Sequence, residues 1–253
     1  MKKRLDVLLV ERGLAESRSQ AQALVMAGRV PGFEKAGQQV DEAVKLELTA
    51  PPRFVSRGGE KLDHGLDAFG VDVEGRAAID VGASTGGFTD VLLQRGAARV
   101  IALDVGRGQL HERLLEDPRV TVMDGVNARH LKELPFAPEL VVADVSFISL
   151  QQVVPPVLRL AARDWEAVVL VKPQFQAGRE DVKGGVVRDP AVQARVLREV
   201  AAAALEWEAE TVGATDSGLP GPKGNREFFL HLVRRPQPTL PADLDEWIAD
   251  AVG

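Results

Sequence analysis

The 253-residue chain contains no cysteine. That excludes a disulfide scaffold, a thiol nucleophile and a cysteine metal site, and it fits a reducing compartment. No apolar run approaches the ~18 residues needed to span a bilayer. Met1-Lys2-Lys3-Arg4 has the charge of a signal-peptide start, but Asp6 and Glu11 interrupt any hydrophobic region behind it. A cytoplasmic location and no membrane partner are therefore expected. His64, His111, His130 and His231 show no metal-ligand spacing, so no metal is expected. Positive charge is also in deficit: 31 Lys+Arg face 37 Asp+Glu, a net charge of -6. On that average the chain would avoid nucleic acid. What is present is ordinary: 45% apolar residues allow a sizeable core. The length accommodates one large domain, or a large and a small one.

The average hides a division. Residues 1–57 carry ten Lys/Arg and seven Asp/Glu, a net +3, which leaves -9 for the remainder. A basic head on an acidic body is a marked asymmetry, and on charge alone a basic surface with no ligand is as good a reading as a nucleic-acid contact. Ala50-Pro51-Pro52 marks the boundary, because paired prolines stop regular structure and stiffen a connector. The expected organisation is a head over 1–51, a linker over 52–57 and a body over 58–253.

In the head, Leu5, Leu8 and Leu9 recur at helical spacing. Ser17 or Ser19 can cap a second helix that buries Ala21, Leu24 and Val25 and ends at Gly28. Val40 to Leu48 alternates roughly as a strand. The strings Arg4-Leu5-Asp6, Ser17-Arg18-Ser19-Gln20-Ala21 and Gly28-Arg29-Val30 resemble the S4 domain of ribosomal protein S4 and many RNA-modifying enzymes. That resemblance implies a small α+β RNA-binding module contacting phosphates through Arg4, Arg18, Ser19, Gln20 and Arg29. The chain departs from the pattern at Pro31-Gly32-Phe33, where the family continues into a strand and a Val-Asn-Gly turn.

In the body, candidate strands lie at Ala77–Val81, Arg99–Asp104, Val120–Met123, Leu140–Asp144, Ala167–Lys172, Thr211–Thr215 and Glu227–Val233. Helical stretches at Phe88–Arg95, Gly108–Glu116, Leu150–Ala162 and Pro190–Trp207 separate most of them, and Leu244–Val252 forms a possible amphipathic tail helix. Alternating β and α elements imply an α/β fold, a mainly parallel seven-stranded Rossmann-like sheet covered on both faces. Ligands in such sheets bind beyond the carboxyl ends of the strands, where Asp80, Asp104, Asp144 and Lys172 fall. One acidic strand end is usually a helix cap; four polar ends along one edge are harder to explain that way.

The first strand runs into Asp80-Val81-Gly82-Ala83-Ser84-Thr85-Gly86-Gly87-Phe88. This G-x-x-x-G turn is neither the G-x-G-x-x-G of dinucleotide folds nor a P-loop. It suits a ligand with an amino-acid tail and a nucleoside, such as S-adenosylmethionine. Asp104, 18 residues after Gly86, can accept both ribose hydroxyls, with Val105 beside it. Asp124 and Asn127 can face the adenine.

Lys61, Asp144, Lys172 and Glu227 form the candidate catalytic set. A lysine closing the apolar run Ala-Val-Val-Leu-Val is costly to bury unless paired, and the carboxylates supply partners. The set resembles the K-D-K-E tetrad of FtsJ/RrmJ-type ribose 2′-O-methyltransferases. With the S4-like head, the chain is similar to the TlyA, or haemolysin A, family from residue 4 to about 235. Val-Ser-Arg-Gly-Gly-Glu-Lys-Leu, Ala-Leu-Asp-Val-Gly-Arg-Gly-Gln-Leu, Ala-Asp-Val-Ser-Phe-Ile-Ser-Leu and Val-Lys-Pro-Gln-Phe carry the likeness. A class I methyltransferase fold is implied, as is S-adenosylmethionine-dependent methylation of a cytidine ribose in ribosomal RNA within assembled subunits. Arg57 joins the RNA contacts, and no obligate protein partner is implied. The chain departs from the family's Glu-Arg-Thr-Asn-x-Arg at Asp124-Gly125-Val126-Asn127-Ala128-Arg129. Lys172 is assigned to the 2′-oxygen, as a base if neutral or an oxyanion stabiliser if protonated, with Asp144 and Glu227 orienting the lysines. Two Gly-rich loops, 176–188 and 216–226, hold Arg179, Lys183, Arg188, Lys223 and Arg226 as candidate RNA-facing lids. Two other readings compete: a non-catalytic RNA-binding ribosome-assembly factor, and a membrane-lytic protein.

Overall fold

The computed structural model describes residues 2–26, 29–50, 52–178 and 180–253. It forms two compact units, Met1–Arg53 and Phe54–Gly253. In the first, β1 (Lys2–Arg4) leads into α1 (Leu5–Glu11), then α2 (Arg18–Met26) and β2 (Gln39–Asp41). β1 and β2 pair antiparallel, Lys3 opposite Val40. Leu5, Leu8 and Leu9 of α1 close against Ala21 and Val25 of α2, with Val40 and Leu46 completing the core. The Ser17 hydroxyl accepts the Gln20 N–H (3.2 Å), so Ser17 provides the cap for α2. The expected helix end at Gly28 lies outside the described residues. Of the strand expected over Val40–Leu48, only Val40 and Asp41 are in β2. Asp41 turns the chain: its side chain accepts the Ala43 N–H (2.8 Å) and its carbonyl the Val44 N–H (3.0 Å).

The second unit continues with α3 (Arg57–Phe69), β3 (Ala77–Val81), α4 (Gly87–Gln94), β4 (Arg99–Asp104), α5 (Glu112–Leu115) and β5 (Val120–Asp124). Then follow β6 (Leu140–Ala143), α6 (Leu150–Leu158), β7 (Glu166–Val171), α7 (Pro173–Gln176), α8 (Pro190–Ala204), β8 (Ala209–Asp216), β9 (Phe228–Arg234) and α9 (Leu244–Val252). The seven strands order as β5-β4-β3-β6-β7-β9-β8. The first five are parallel; β9 runs antiparallel to both neighbours. Side chains alternate between two cores. Ile79, Ile101, Val141 and Val169 face α6, α8 and α9, while Ala78, Val100, Val142 and Val168 face α3 and α4. Burial on both faces explains why the central strands read as continuous apolar runs.

Several elements differ from the sequence reading. α5 starts at Glu112 rather than Gly108, because Gly108 has a left-handed backbone (φ 63°) and its N–H is committed to Asp124 (2.7 Å), while His111 caps the helix. α6 stops at Leu158. The 52–57 stretch is not wholly connector: Phe54 is buried in the core of the second unit, the Val55 N–H is held by Asp90 (2.8 Å), and Arg57 begins α3. α3 itself was hidden by three glycines. A Cβ at Gly59 would stand 2.5 Å from Phe54 Cβ, and one at Gly65 would stand 2.8 Å from the Phe229 ring. Here glycine serves close packing at the cost of helix propensity.

Candidate active site

Two adjoining cavities open at the carboxyl edge of the parallel strands. One, of about 420 Å³, is bounded by Arg57, Lys61, Asp80, Asp144, Lys172 and Glu227. The other, of about 540 Å³, is bounded by Asp104, Val105, Asn127, Val145, Phe147 and Ile148. Gly82, Ser84 and Asp144 line both.

The turn after β3 makes the shared wall. Gly82 has φ 89°, and a Cβ there would lie 2.3 Å from the Asp144 carbonyl, so no side chain fits between these strand ends. Ser84 is also left-handed (φ 47°), unusual for a residue with a side chain. Its N–H donates to Asp104 (2.8 Å), whose other oxygen takes the Gly106 N–H (2.6 Å). The Asp104 carboxylate is therefore fixed at the border of the larger cavity. Thr85 and Gly87 line the smaller cavity, and Gly86 (φ 94°) packs against Leu110 and Leu114. Phe88 touches the smaller cavity but is 3% exposed and packs on Phe229, so it is chiefly core. Asn127 lines the larger cavity and caps the turn that follows it. Asp124 does not line that cavity; its carboxylate is used by Gly108.

Asp80 is fully buried between β3 and α4. One carboxylate oxygen accepts the Thr89 N–H (2.9 Å) and hydroxyl (2.8 Å). The other has no hydrogen-bond partner among the described residues. Burial pushes its pKa up to about 7; the Thr89 hydrogen bonds oppose that rise, and the nearby Asp144 and Asp104 charges add to it.

Four elements deliver the catalytic candidates. Lys61 lies on α3, Asp144 directly follows β6, Lys172 follows β7 and caps α7, and Glu227 directly precedes β9. They form two ion pairs: Lys61 Nζ to Glu227 Oε2 at 2.6 Å, and Lys172 with Asp144. Both lysines are 8% exposed and Glu227 is 1% exposed. Sequence reasoning missed the next layer. Lys172 also donates to the Ser146 hydroxyl (3.0 Å), and Gln174 donates to Glu227 Oε1 (3.3 Å). Phe147, 90% exposed and left-handed (φ 64°), lies against Phe175, with ring centroids 4.8 Å apart. Ser146 and Phe147 were legible as neighbours in Asp-Val-Ser-Phe; Gln174 carried no signal beyond its place after Lys172.

The RNA-contact candidates of the first unit are organised by a buried acid. Asp6 accepts from Arg4 (3.0 and 2.8 Å), Gln22 (3.0 Å) and Arg18 (3.2 Å). The Arg4 guanidinium, helped by Gln22 and Arg18 against burial, holds the Asp6 carboxyl well below the usual range. Arg4 and Arg18 remain about half exposed. Arg29 is turned onto the Thr49 carbonyl (3.1 and 2.7 Å). Gln20 accepts from the Glu16 N–H (2.5 Å), and Ser19 is exposed. Arg57, in the second unit, stands at the mouth of the smaller cavity. Of the lid candidates, Arg179 lies outside the described residues. Arg226 is not free to face RNA: its guanidinium is held by the Ala251 (2.9 Å) and Val252 carbonyls of α9.

A doubly wound sheet with a Gly-rich first turn, an acidic second strand end and paired lysines at its carboxyl edge defines a class I methyltransferase joined to a small basic module. The family model for FtsJ-like methyltransferases matches residues 54–234, and the S4 domain model matches residues 3–30. The chain belongs to the FtsJ-like methyltransferase family. It is 48% identical to the 16S/23S rRNA (cytidine-2′-O)-methyltransferase TlyA of Mycobacterium tuberculosis, over 94% of this chain and 92% of that one. It is 37% identical to hemolysin A of Brachyspira hyodysenteriae, over 91% of this chain and 99% of that one. Among solved structures, a hemolysin candidate from Streptococcus thermophilus superposes with a TM-score of 0.78 at 40% identity, covering 98% of this chain and 94% of that one.

Proposed function

We propose that the protein transfers a methyl group from S-adenosylmethionine to the 2′-hydroxyl of a cytidine in ribosomal RNA, in the cytoplasm, with the subunit or its RNA as substrate. The observation that carries this reading is the convergence of the Lys61–Glu227 and Lys172–Asp144 pairs on a cavity continuous with a nucleoside-sized one. The cavity residues fit the cofactor. The orphan oxygen of Asp80, on the smaller cavity, is an acceptor for an α-ammonium; on the larger one Asp104 is an acceptor for ribose hydroxyls, and Val105, Asn127 and Ile148 bound space for the base. When bound, the cofactor supplies an electrophilic methyl group.

The chain's own residues do the rest. An ammonium has three donors. Lys172 is ion-paired with Asp144 and donates one hydrogen bond to Ser146, so donor capacity remains for a ribose 2′-oxygen. In that role it steers the nucleophile and stabilises the negative charge that develops on the 2′-oxygen, whose proton passes to solvent water. Glu227 holds Lys61 as a second cation in the same cavity. The exposed Phe147, backed by the half-buried Phe175, offers an aromatic face for an unstacked base. Arg4 and Arg18, pre-aligned by Asp6, supply phosphate contacts at the other end of the chain.

Purified protein incubated with ribosomal subunits and deuterated S-adenosylmethionine is expected to yield labelled 2′-O-methylcytidine by mass spectrometry of nucleosides. Subunit binding without incorporated label would instead identify a non-catalytic assembly factor.

A further inference from the structure

Glu227 has a neighbour that bears no charge and lies outside the four-residue set. Asn225 is 3% exposed, and its amide is fully used. Its Oδ1 accepts the Val187 N–H (3.2 Å), while Nδ2 donates to the Gly185 (3.0 Å) and Pro222 (3.0 Å) carbonyls. The Val187 carbonyl is held in turn by Gln193 of α8 (2.9 Å), itself 2% exposed. One side chain thus joins the loop before α8 to the loop before β9 and anchors both to a core helix.

The joined loop bears directly on the acid. The Gly221 N–H donates to the Asn225 carbonyl (2.8 Å), closing a tight turn. That turn lies so near Glu227 that a Cβ at Gly221 would stand 2.0 Å from Oε1. With Gly221 against Oε1 and Lys61 on Oε2, the carboxylate has little freedom to rotate. A carboxylate and an ammonium placed to act on a substrate lose effectiveness when misplaced by about an ångström.

We infer that Asn225 is a positioning residue: it staples the 180–188 and 217–226 loops into one wall that fixes Glu227, and through it Lys61, in register with Lys172. This rests on the methyltransferase reading above. The isosteric Asn225→Asp tests it without opening a cavity, because it keeps the acceptor for Val187 but sets a carboxylate against two carbonyls. Asn225→Ala is the second variant. Three readouts are taken: affinity for S-adenosylmethionine by calorimetry, single-turnover methylation of subunits with excess enzyme, and native-state trypsin cleavage after Lys183, Arg188 or Lys223. The expected result is cofactor affinity within about twofold of wild type, which also certifies folding. The single-turnover rate at saturating enzyme falls about tenfold or more, with the enzyme concentration for half-saturation of the subunits little changed, and cleavage in the two loops accelerates. In the Glu227→Gln background, adding Asn225→Asp costs less than twofold further, since a positioning residue acts through its target. Wild-type transfer in both Asn225 variants, loss of transfer without faster loop cleavage, or equal losses with and without Glu227 would each overturn the inference. Full activity in Glu227→Gln alone would instead overturn the catalytic assignment on which it rests.

Discussion

Asp80→Asn separates the electrostatics of the cofactor site from its shape. The carboxyl of Asp80 is buried and titrates near pH 7 rather than near 3.8. Between about pH 4 and 7 the folded protein therefore holds a proton that the unfolded chain has released. The unfolded state binds fewer protons, so stability falls as pH rises through this window and levels off above it. This is opposite in sign to the usual buried, paired aspartate. Raising this one carboxyl from its ordinary value to about 7 costs at most roughly 4 kcal/mol. The amide of Asp80→Asn keeps an oxygen for Thr89 and removes the titration. Urea unfolding of the cofactor-free protein, followed by tryptophan fluorescence, provides the assay, because Trp165, Trp207 and Trp247 all lie in the larger unit. The variant's advantage over wild type is expected to grow from pH 4.5 to 7.5 and then stay constant. Cofactor binding should move the other way. The variant's NH₂ group replaces the orphan oxygen, and loss of a charge-assisted hydrogen bond of about 1.5–3 kcal/mol weakens affinity roughly tenfold to a hundredfold. Binding to wild type below pH 7 should also release a proton, seen as a buffer-dependent calorimetric enthalpy that disappears in the variant. A variant whose stability follows the wild-type pH profile, or which binds the cofactor unchanged, would refute the reasoning.

Lys172→Ala is expected to abolish methyl transfer while calorimetry shows cofactor affinity little changed, because the lysine's partners are Asp144 and Ser146 and the cofactor contacts are assigned to Asp80, Asp104, Val105, Asn127 and Ile148. Asp6→Asn should destabilise the first unit at neutral pH: the depressed carboxyl of Asp6 contributes stability above its unfolded pKa that is lost on acidification, so the deficit measured by denaturation shrinks as pH falls. The same variant releases Arg4 and Arg18 from their shared anchor, and filter binding should show weaker RNA affinity than wild type. Gly82→Ala is expected to cost more stability than a surface substitution, at least 1 kcal/mol, since it meets both a left-handed backbone and the Asp144 carbonyl. A melting temperature equal to wild type would contradict the close approach of β3 and β6.

The sheet was legible because its signal is local. Five parallel strands buried on both faces must be apolar end to end, so Ile79, Ile101, Val141 and Val169 announce themselves without knowledge of their partners. The strand-end charges were legible for the same reason: Asp144 and Lys172 interrupt apolar runs at a fixed place. What stayed hidden depends on distant partners. Gly58, Gly59 and Gly65 lower helix propensity in α3, and only Phe54 and Phe229 packed against it show what the glycines permit. Asp124 reads as an adenine contact until Gly108 is seen to occupy it. Arg226 reads as a basic lid residue until α9 is folded against it.

The same contrast resolves the charge imbalance. Several acidic groups of the -9 body stand at the carboxyl edge of the sheet, and they have separable tasks. Asp104 is fixed by backbone N–H groups at one cavity, and Asp144 and Glu227 each neutralise a lysine that could not otherwise be buried. Asp80 keeps one oxygen without a partner among the described residues, and burial raises its pKa to about 7. An unpaired buried carboxylate makes little sense in a protein selected only for stability. It is the expected residue of a site whose ligand brings the missing positive charge, and its stability deficit should close when that ligand binds.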